Sequence, residues 1–265
     1  MNVLQHNNLS KFLACFPKIK KTIKEWSLIN ISLSGDAEIS VFSVTKNLWD
    51  FFKDTEGDLL ICNSREILAL VKTGKNADIG DLQKKLQSRF PGHGFVLDVV
   101  ETTKDGLMKI EMRFQNEKKI SGNGGGDPQI SLMLRVRQQR KSNVILIADD
   151  DLFMRSLVVK AMEPHGSVVA LEDGANVVDT YLKILPDLLF LDIHLPVQSG
   201  SEILKEILIF DQDAYIVMLS ADSAKENVIN SRTSGAKGFI AKPFTKEKLE
   251  EALWRCPTIT RVKTQ

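Results

Sequence analysis

From residue 144 onward the chain repeats one pattern: a short, nearly unbroken apolar run, a turn, then a stretch with apolar positions three and four residues apart. The runs are Val144–Ala148, Ser167–Leu171, 188–192, 214–219 and Gly238–Ala241. Runs this short that do not alternate with polar residues are strands buried on both faces, as in a parallel sheet. Helices are predicted between them at 152–163, 175–184, 200–210 and 223–233. Pro164, Gly166 and Pro186 supply the stops. A last helix follows Thr245, the predicted N-cap, with Leu249 and Leu253 turned inward. Strict alternation of strand and helix predicts one doubly wound α/β domain with a parallel sheet.

The pattern before residue 120 differs. Phe12, Phe16, Ile19, Ile23 and Trp26 are spaced 4-3-4-3 and ringed by Lys18, Lys20, Lys21 and Lys24, which predicts a helix over 17–26 begun by Pro17. That seam suits packing within its own domain, with dimerisation or a membrane surface as alternatives. Beyond it the pattern predicts strand 28–33, helix 44–52, strands 58–62 and 66–71, helix 79–90, and a hairpin of 94–102 with 106–114 around Lys104, Asp105 and Gly106. The order β-α-β-β-α-β-β predicts an α+β domain of ferredoxin-like type.

Four glycines and a proline between residues 121 and 128 interrupt both patterns and read as a connector. The expected organisation is therefore 1–120 for the first domain, 121–141 for a Gly-rich and basic linker, and 142–265 for the second domain. In the linker Arg135, Arg137, Arg140 and Lys141 are expected to be exposed.

Composition adds a charge asymmetry to this division. The net charge of +1 separates into +3 for residues 1–120, +3 for 121–142 and −5 for 143–265. A basic linker beside an acidic domain reads first as a solvated charge run, with an interdomain clamp or a nucleic-acid contact as sharper alternatives. Cys15, Cys62 and Cys256 are odd in number and far apart, as reduced thiols would be. No apolar stretch approaches the ~20 residues that span a bilayer, and no signal-peptide pattern stands at the start, so a cytoplasmic protein is expected.

The acidic second domain carries the candidate chemistry at its strand ends, where open α/β sheets collect ligands. Asp149 and Asp150 follow the first run, Asp192 ends the third, Ser220 follows the fourth, and Lys242, Pro243 and Phe244 follow the fifth. Taken singly, each is ordinary: a solvated turn, a helix cap, a hydroxyl. Together they converge. Carboxylates brought to one sheet edge resist ionising together unless a cation joins them. Oxygen ligands without a matching His or Cys side chain favour Mg²⁺.

This ordered set resembles the receiver domain of bacterial response regulators, the flavodoxin-like chemotaxis-regulator fold with strand order 2-1-3-4-5. The resemblance spans roughly residues 142–256. It implies that Asp192 is the phosphoryl acceptor, that Asp149, Asp150, Asp192 and the backbone carbonyl of His194 serve the Mg²⁺, and that Lys242 supplies a second positive charge. It implies that Ser220 and Phe239 are the switch residues, the hydroxyl following the phosphate and the ring turning inward. A sensor histidine kinase or histidine phosphotransfer protein is the implied donor, and a downstream protein is the implied recipient of the signal. No independent catalytic activity is expected beyond phosphoacceptance and autodephosphorylation.

The first domain contains no helix-turn-helix, phosphotransfer histidine helix or Walker loop. The stretch 61–70 stands where a nucleotide-cyclase-like domain would have its signature hairpin, yet the glycines and paired acids of that signature are missing. The expected role is interaction, with homodimerisation open and nucleic acid not indicated. The alternatives are an effector binding a nucleotide or nucleic acid, as a degenerate cyclase-like domain would, and a scaffold whose receiver is not phosphorylated.

Overall fold

The computed structural model describes residues 1–5, 8–35, 39–90, 94–120, 131–221 and 235–260, with 116–120 as backbone alone. The chain divides into two compact units, Met1–Leu132 and Met133–Gln265. Among the described residues no helix is long and apolar enough to cross a membrane.

The first unit is built on a mixed five-stranded sheet. Its strands are β1 (Asn2–Gln5), β2 (Trp26–Leu33), β3 (Gly57–Asn63), β4 (Glu66–Lys72) and β5 (Phe95–Glu101), in the order β1-β3-β4-β2-β5. Only the β1–β3 pair is parallel. Alternation along β2 buries Ile29, Ile31 and Leu33 on one side. The opposite face joins Leu60, Leu68 and Leu70 to α1 (Leu9–Leu13), α2 (Phe16–Ile19) and α5 (Lys104–Ile120) through Phe12, Phe16, Leu107, Ile110 and Phe114. The buried residues of α3 (Val41–Phe52) and of α4 (Ile79–Arg89) lie outside that cluster. Ser40 and Asp78 cap these two helices, accepting from the N–H groups of Ser43 and Asp81.

Three expectations for this unit need correction. The predicted strand at 106–114 is the helix α5, because the spacing of Leu107, Ile110 and Phe114 outweighs the turn signal of Asp105 and Gly106. The Thr103 hydroxyl accepts from the Gly106 N–H at 3.0 Å, so this glycine opens a helix instead of a hairpin. The helix predicted over 17–26 breaks into α2, a 3₁₀ turn at Ile23–Glu25, and Trp26 as the first residue of β2. Phe12, Phe16 and Ile19 nevertheless face one cluster and are at most 3 % exposed, so the seam is used inside its own unit. Strand β1 is an element that the pattern did not predict.

The second unit is an all-parallel sheet of β6 (Val144–Ala148), β7 (Ser167–Leu171), β8 (Leu188–Asp192), β9 (Ile216–Ser220) and β10 (Gly238–Ala241), in the order β10-β9-β8-β6-β7. Counted from β6 as the first strand, this is the expected 2-1-3-4-5. The three inner strands are buried almost throughout. Helices α7 (Leu152–Met162) and α10 (Lys246–Trp254) share one core with β6, β8, β9 and β10. Helices α8 (Val177–Ile184) and α9 (Gly200–Phe210) pack together. A capping box of Ser199 and Glu202 starts α9. Thr245 stands at the N-cap of α10, but its side chain makes no backbone cap. Leu249 and Leu253 are fully buried, as expected. The helix predicted at 223–233 and the Gly-rich stretch at 121–130 lie outside the described residues.

Residues 132–138 of the expected linker form the helix α6 (Leu132–Gln138). Arg137, expected to be exposed, is 3 % exposed. Its guanidinium is drawn inward by a buried carboxylate, Asp211, which would otherwise stand uncompensated. Lys141 is exposed as expected.

Candidate functional site

Parallel pairing brings the polar strand ends together. Asp192 lies opposite Leu219 in register, and Ala241 lies opposite Ser220, so β8, β9 and β10 end side by side, while β6 delivers Asp149 immediately after Ala148. Lys242 is tied in by its backbone N–H, which donates to the Ser220 carbonyl at 2.7 Å. The Lys242–Pro243 peptide is cis.

One oxygen from each of Asp149, Asp150 and Asp192 falls within 4.8 Å of the others. Asp149 and Asp192 are buried, and Asp150 is exposed. The Lys242 ammonium stands 2.8 Å from Asp149 Oδ2 and 3.0 Å from Asp192 Oδ2. It donates to Asp149 Oδ1 at 2.9 Å, and the Asp151 N–H donates to the same oxygen at 3.1 Å. Burial holds the Asp149 carboxyl above its ordinary range, against the lowering effect of Lys242. Burial acts to lower the Lys242 pKa, but its bonds to Asp149 and Asp192 outweigh that, and it stands raised.

Asp149 Oδ2 is buried and, although close to the ammonium, lacks a hydrogen bond of acceptable geometry. A hard cation would satisfy it. Three carboxylates, all oxygen donors, two of them buried and one exposed at the mouth, fit Mg²⁺. Ser220 is fully buried at the end of β9, Phe239 is half-buried in β10, and His194 is exposed two residues beyond Asp192.

Two neighbours escaped the sequence pattern. Arg155, in the second turn of α7, donates to the carbonyls of Asp149 and Asp150 at 2.7 and 3.3 Å and so braces the acidic turn. Its only sequence signal is a place one turn past the N-cap Asp151. Gly200 lies so close to Asp192 that an added Cβ would come within 1.9 Å of the Asp192 carbonyl oxygen. A side chain there would displace the strand end.

Val197, in the loop between Asp192 and α9, has φ 71° and is 83 % exposed. Leu185 is also left-handed, at φ 46°, but its side chain is buried. Burial offsets the strain at Leu185 and does not at Val197. Replacing Val197 by Gly is expected to stabilise the protein by about 0.5–1 kcal/mol, the left-handed penalty less the entropy cost of glycine. Urea unfolding of the two proteins measures this.

Five parallel strands in this order, with acids and a lysine meeting beyond their carboxyl ends, define a receiver-type signalling domain. Residues 145–254 match the response regulator receiver domain family. Over 113 residues the chain is 38 % identical to protein CcdB of Bacillus subtilis, covering 42 % of this chain and 94 % of that one. It is 41 % identical to the chemotaxis protein CheY of the same organism over 111 residues, covering 41 % and 92 %. The solved structure of the chemotaxis response regulator CheY4 of Vibrio cholerae is 27 % identical, with a TM-score of 0.41, covering 44 % of this chain and 99 % of that one. The chain belongs to the response regulator receiver family of two-component signal transduction, and the family match lies within its second unit.

Proposed function

We propose that this protein is a two-component response regulator in which Asp192 accepts a phosphoryl group from a histidine kinase or histidine phosphotransfer protein. The observation that carries the reading is the Lys242 ammonium held between Asp149 and Asp192 in a largely buried pocket. An Asp192 oxygen attacks the phosphorus of a phosphohistidine, an O–P bond forms as the N–P bond breaks, and the donor histidine leaves with the N–P electron pair. Lys242, already touching Asp192, transfers its contact to a phosphoryl oxygen and offsets the added charge of about −1.5 to −2. The Ser220 hydroxyl supplies a further donor, and Phe239 adjusts in β10. Mg²⁺ held by Asp149, Asp150, Asp192 and the His194 carbonyl would neutralise charge developing on the phosphoryl oxygens. Mixing the full chain with phosphorylated candidate donors from the same cell, and following label onto it by intact mass, tests this reading.

The metal assignment gives a prediction of its own. Mg²⁺ at 100 times its dissociation constant is expected to stabilise the protein by about 2.7 kcal/mol. Asp149→Asn and Asp150→Asn should each weaken this response. Thermal unfolding across a Mg²⁺ titration, with Ca²⁺ as comparison, reads the effect.

We read the first unit as the output or interaction module. Strands β5-β2-β4-β3 are each antiparallel to their neighbours, in the ferredoxin-like order, with β1 added at one edge. The layout proposed is 1–120 for this module and 142–265 for the receiver, with α6 lying in the stretch between them. Phosphorylation would change the contacts of this module or of the face of the last two helices, of which α10 is one. On that face Tyr215, Lys237, Phe239, Lys248 and Arg255 line a cavity of about 280 Å³, so movement of Phe239 would reshape a surface.

A further inference from the structure

The pocket chemistry makes no use of a second cluster of buried polar groups, at the other end of α9. Arg137 of α6 donates through Nε to the Pro186 carbonyl at 2.8 Å and through Nη2 to the Tyr181 hydroxyl at 2.7 Å. The same Nη2 pairs with Asp211, the C-cap residue of α9, to which the Tyr181 hydroxyl also donates at 2.7 Å. Arg137 and Asp211 are 3 % and 0 % exposed. Arg140 then caps α8, donating to the carbonyls of Ile184 and Leu185 at 3.1 and 2.7 Å. Met133, also in α6, is fully buried. Arg137 and Arg140 therefore seat the C-terminal end of α6 on the receiver by specific, geometrically demanding contacts.

Helix α9 connects this cluster to the acceptor. Its first residue, Gly200, donates its N–H to the Ile193 carbonyl at 2.9 Å and leaves no room for even a methyl group against Asp192. Its inner face, Ile203, Leu204, Ile207 and Phe210, is buried throughout. An 11-residue helix packed this closely moves as one body of about 16 Å. We propose that α6 is a latch coupled through α9 to the acceptor loop, and that phosphorylation of Asp192 loosens it. The proposal rests on the phosphoacceptor reading above. Its sign follows from geometry: the Arg137, Tyr181 and Asp211 groups are already in contact, so a shift of α9 away from this position lengthens those contacts.

Hydrogen exchange on the full chain tests this, with Mg²⁺ and a small phosphodonor present or absent, and with intact mass reporting phosphate on the same samples. Amides of residues 134–140 are expected to exchange at least about fivefold faster in the phosphorylated protein, the lower end of ordinary coupling between sites. Asp192→Asn should show no change on adding the donor. Phosphate uptake with unchanged exchange at 134–140 overturns the latch and leaves the acceptor reading standing. Absence of uptake overturns both, and faster exchange in Asp192→Asn shows a donor effect unrelated to phosphorylation and overturns the latch alone.

Discussion

Asp192→Asn is expected to abolish phosphate uptake while leaving the fold intact. In the wild-type chain a small phosphodonor with Mg²⁺ should add one phosphate that is stable in acid and labile in base, as an acyl phosphate is. The substitution keeps the size and planarity of the side chain and removes the nucleophilic charge, so uptake should fall by at least about a thousandfold, on the scale seen when an enzyme loses its nucleophile. Asp149 is the obvious rival, being equally buried and also in contact with Lys242. Its Oδ1 already accepts from both Lys242 and the Asp151 N–H, and burial favours its protonated form. Asp192 ends a strand beside Ser220 and Lys242, and it is the acid whose loss should be decisive. Intact mass after donor treatment decides the matter, and circular dichroism checks the fold. Undiminished uptake by Asp192→Asn would move the acceptor elsewhere.

The legibility of this site follows from how a parallel sheet is made. Strands buried on both faces must be apolar from end to end, so the first polar residue after each run marks the sheet edge. Asp149, Asp192, Ser220 and Lys242 were visible for that reason. Arg137 was not, because its partners Tyr181 and Asp211 stand 44 and 74 residues away and the helix that carries it has only seven residues. An arginine in a basic stretch has no periodicity that distinguishes a buried ion pair from a solvated charge. The first unit shows the opposite failure. In α5 the Lys104, Asp105 and Gly106 triplet signals a turn, while Leu107, Ile110 and Phe114 signal a helix. Packing against the sheet decided between the two signals, and tertiary contact is what a local reading lacks.

The buried pair also carries the largest expected effect on stability. Arg137→Ala leaves the buried Asp211 carboxylate without its cation, and breaking such a pair from one side costs about 3–5 kcal/mol. That is a large share of an ordinary domain's ~5–15 kcal/mol. The Tyr181 hydroxyl would remain beside Asp211 and would recover only part of the loss. Arg137→Met with Asp211→Leu removes both charges, fills similar volume, and should fall within about 1–2 kcal/mol of wild type. The double-mutant cycle, followed by urea unfolding with a probe in the second unit, separates the pair from the packing of its side chains. A cost below about 1 kcal/mol for Arg137→Ala would mean that water reaches Asp211 in solution, and that α6 is not seated on the receiver as described.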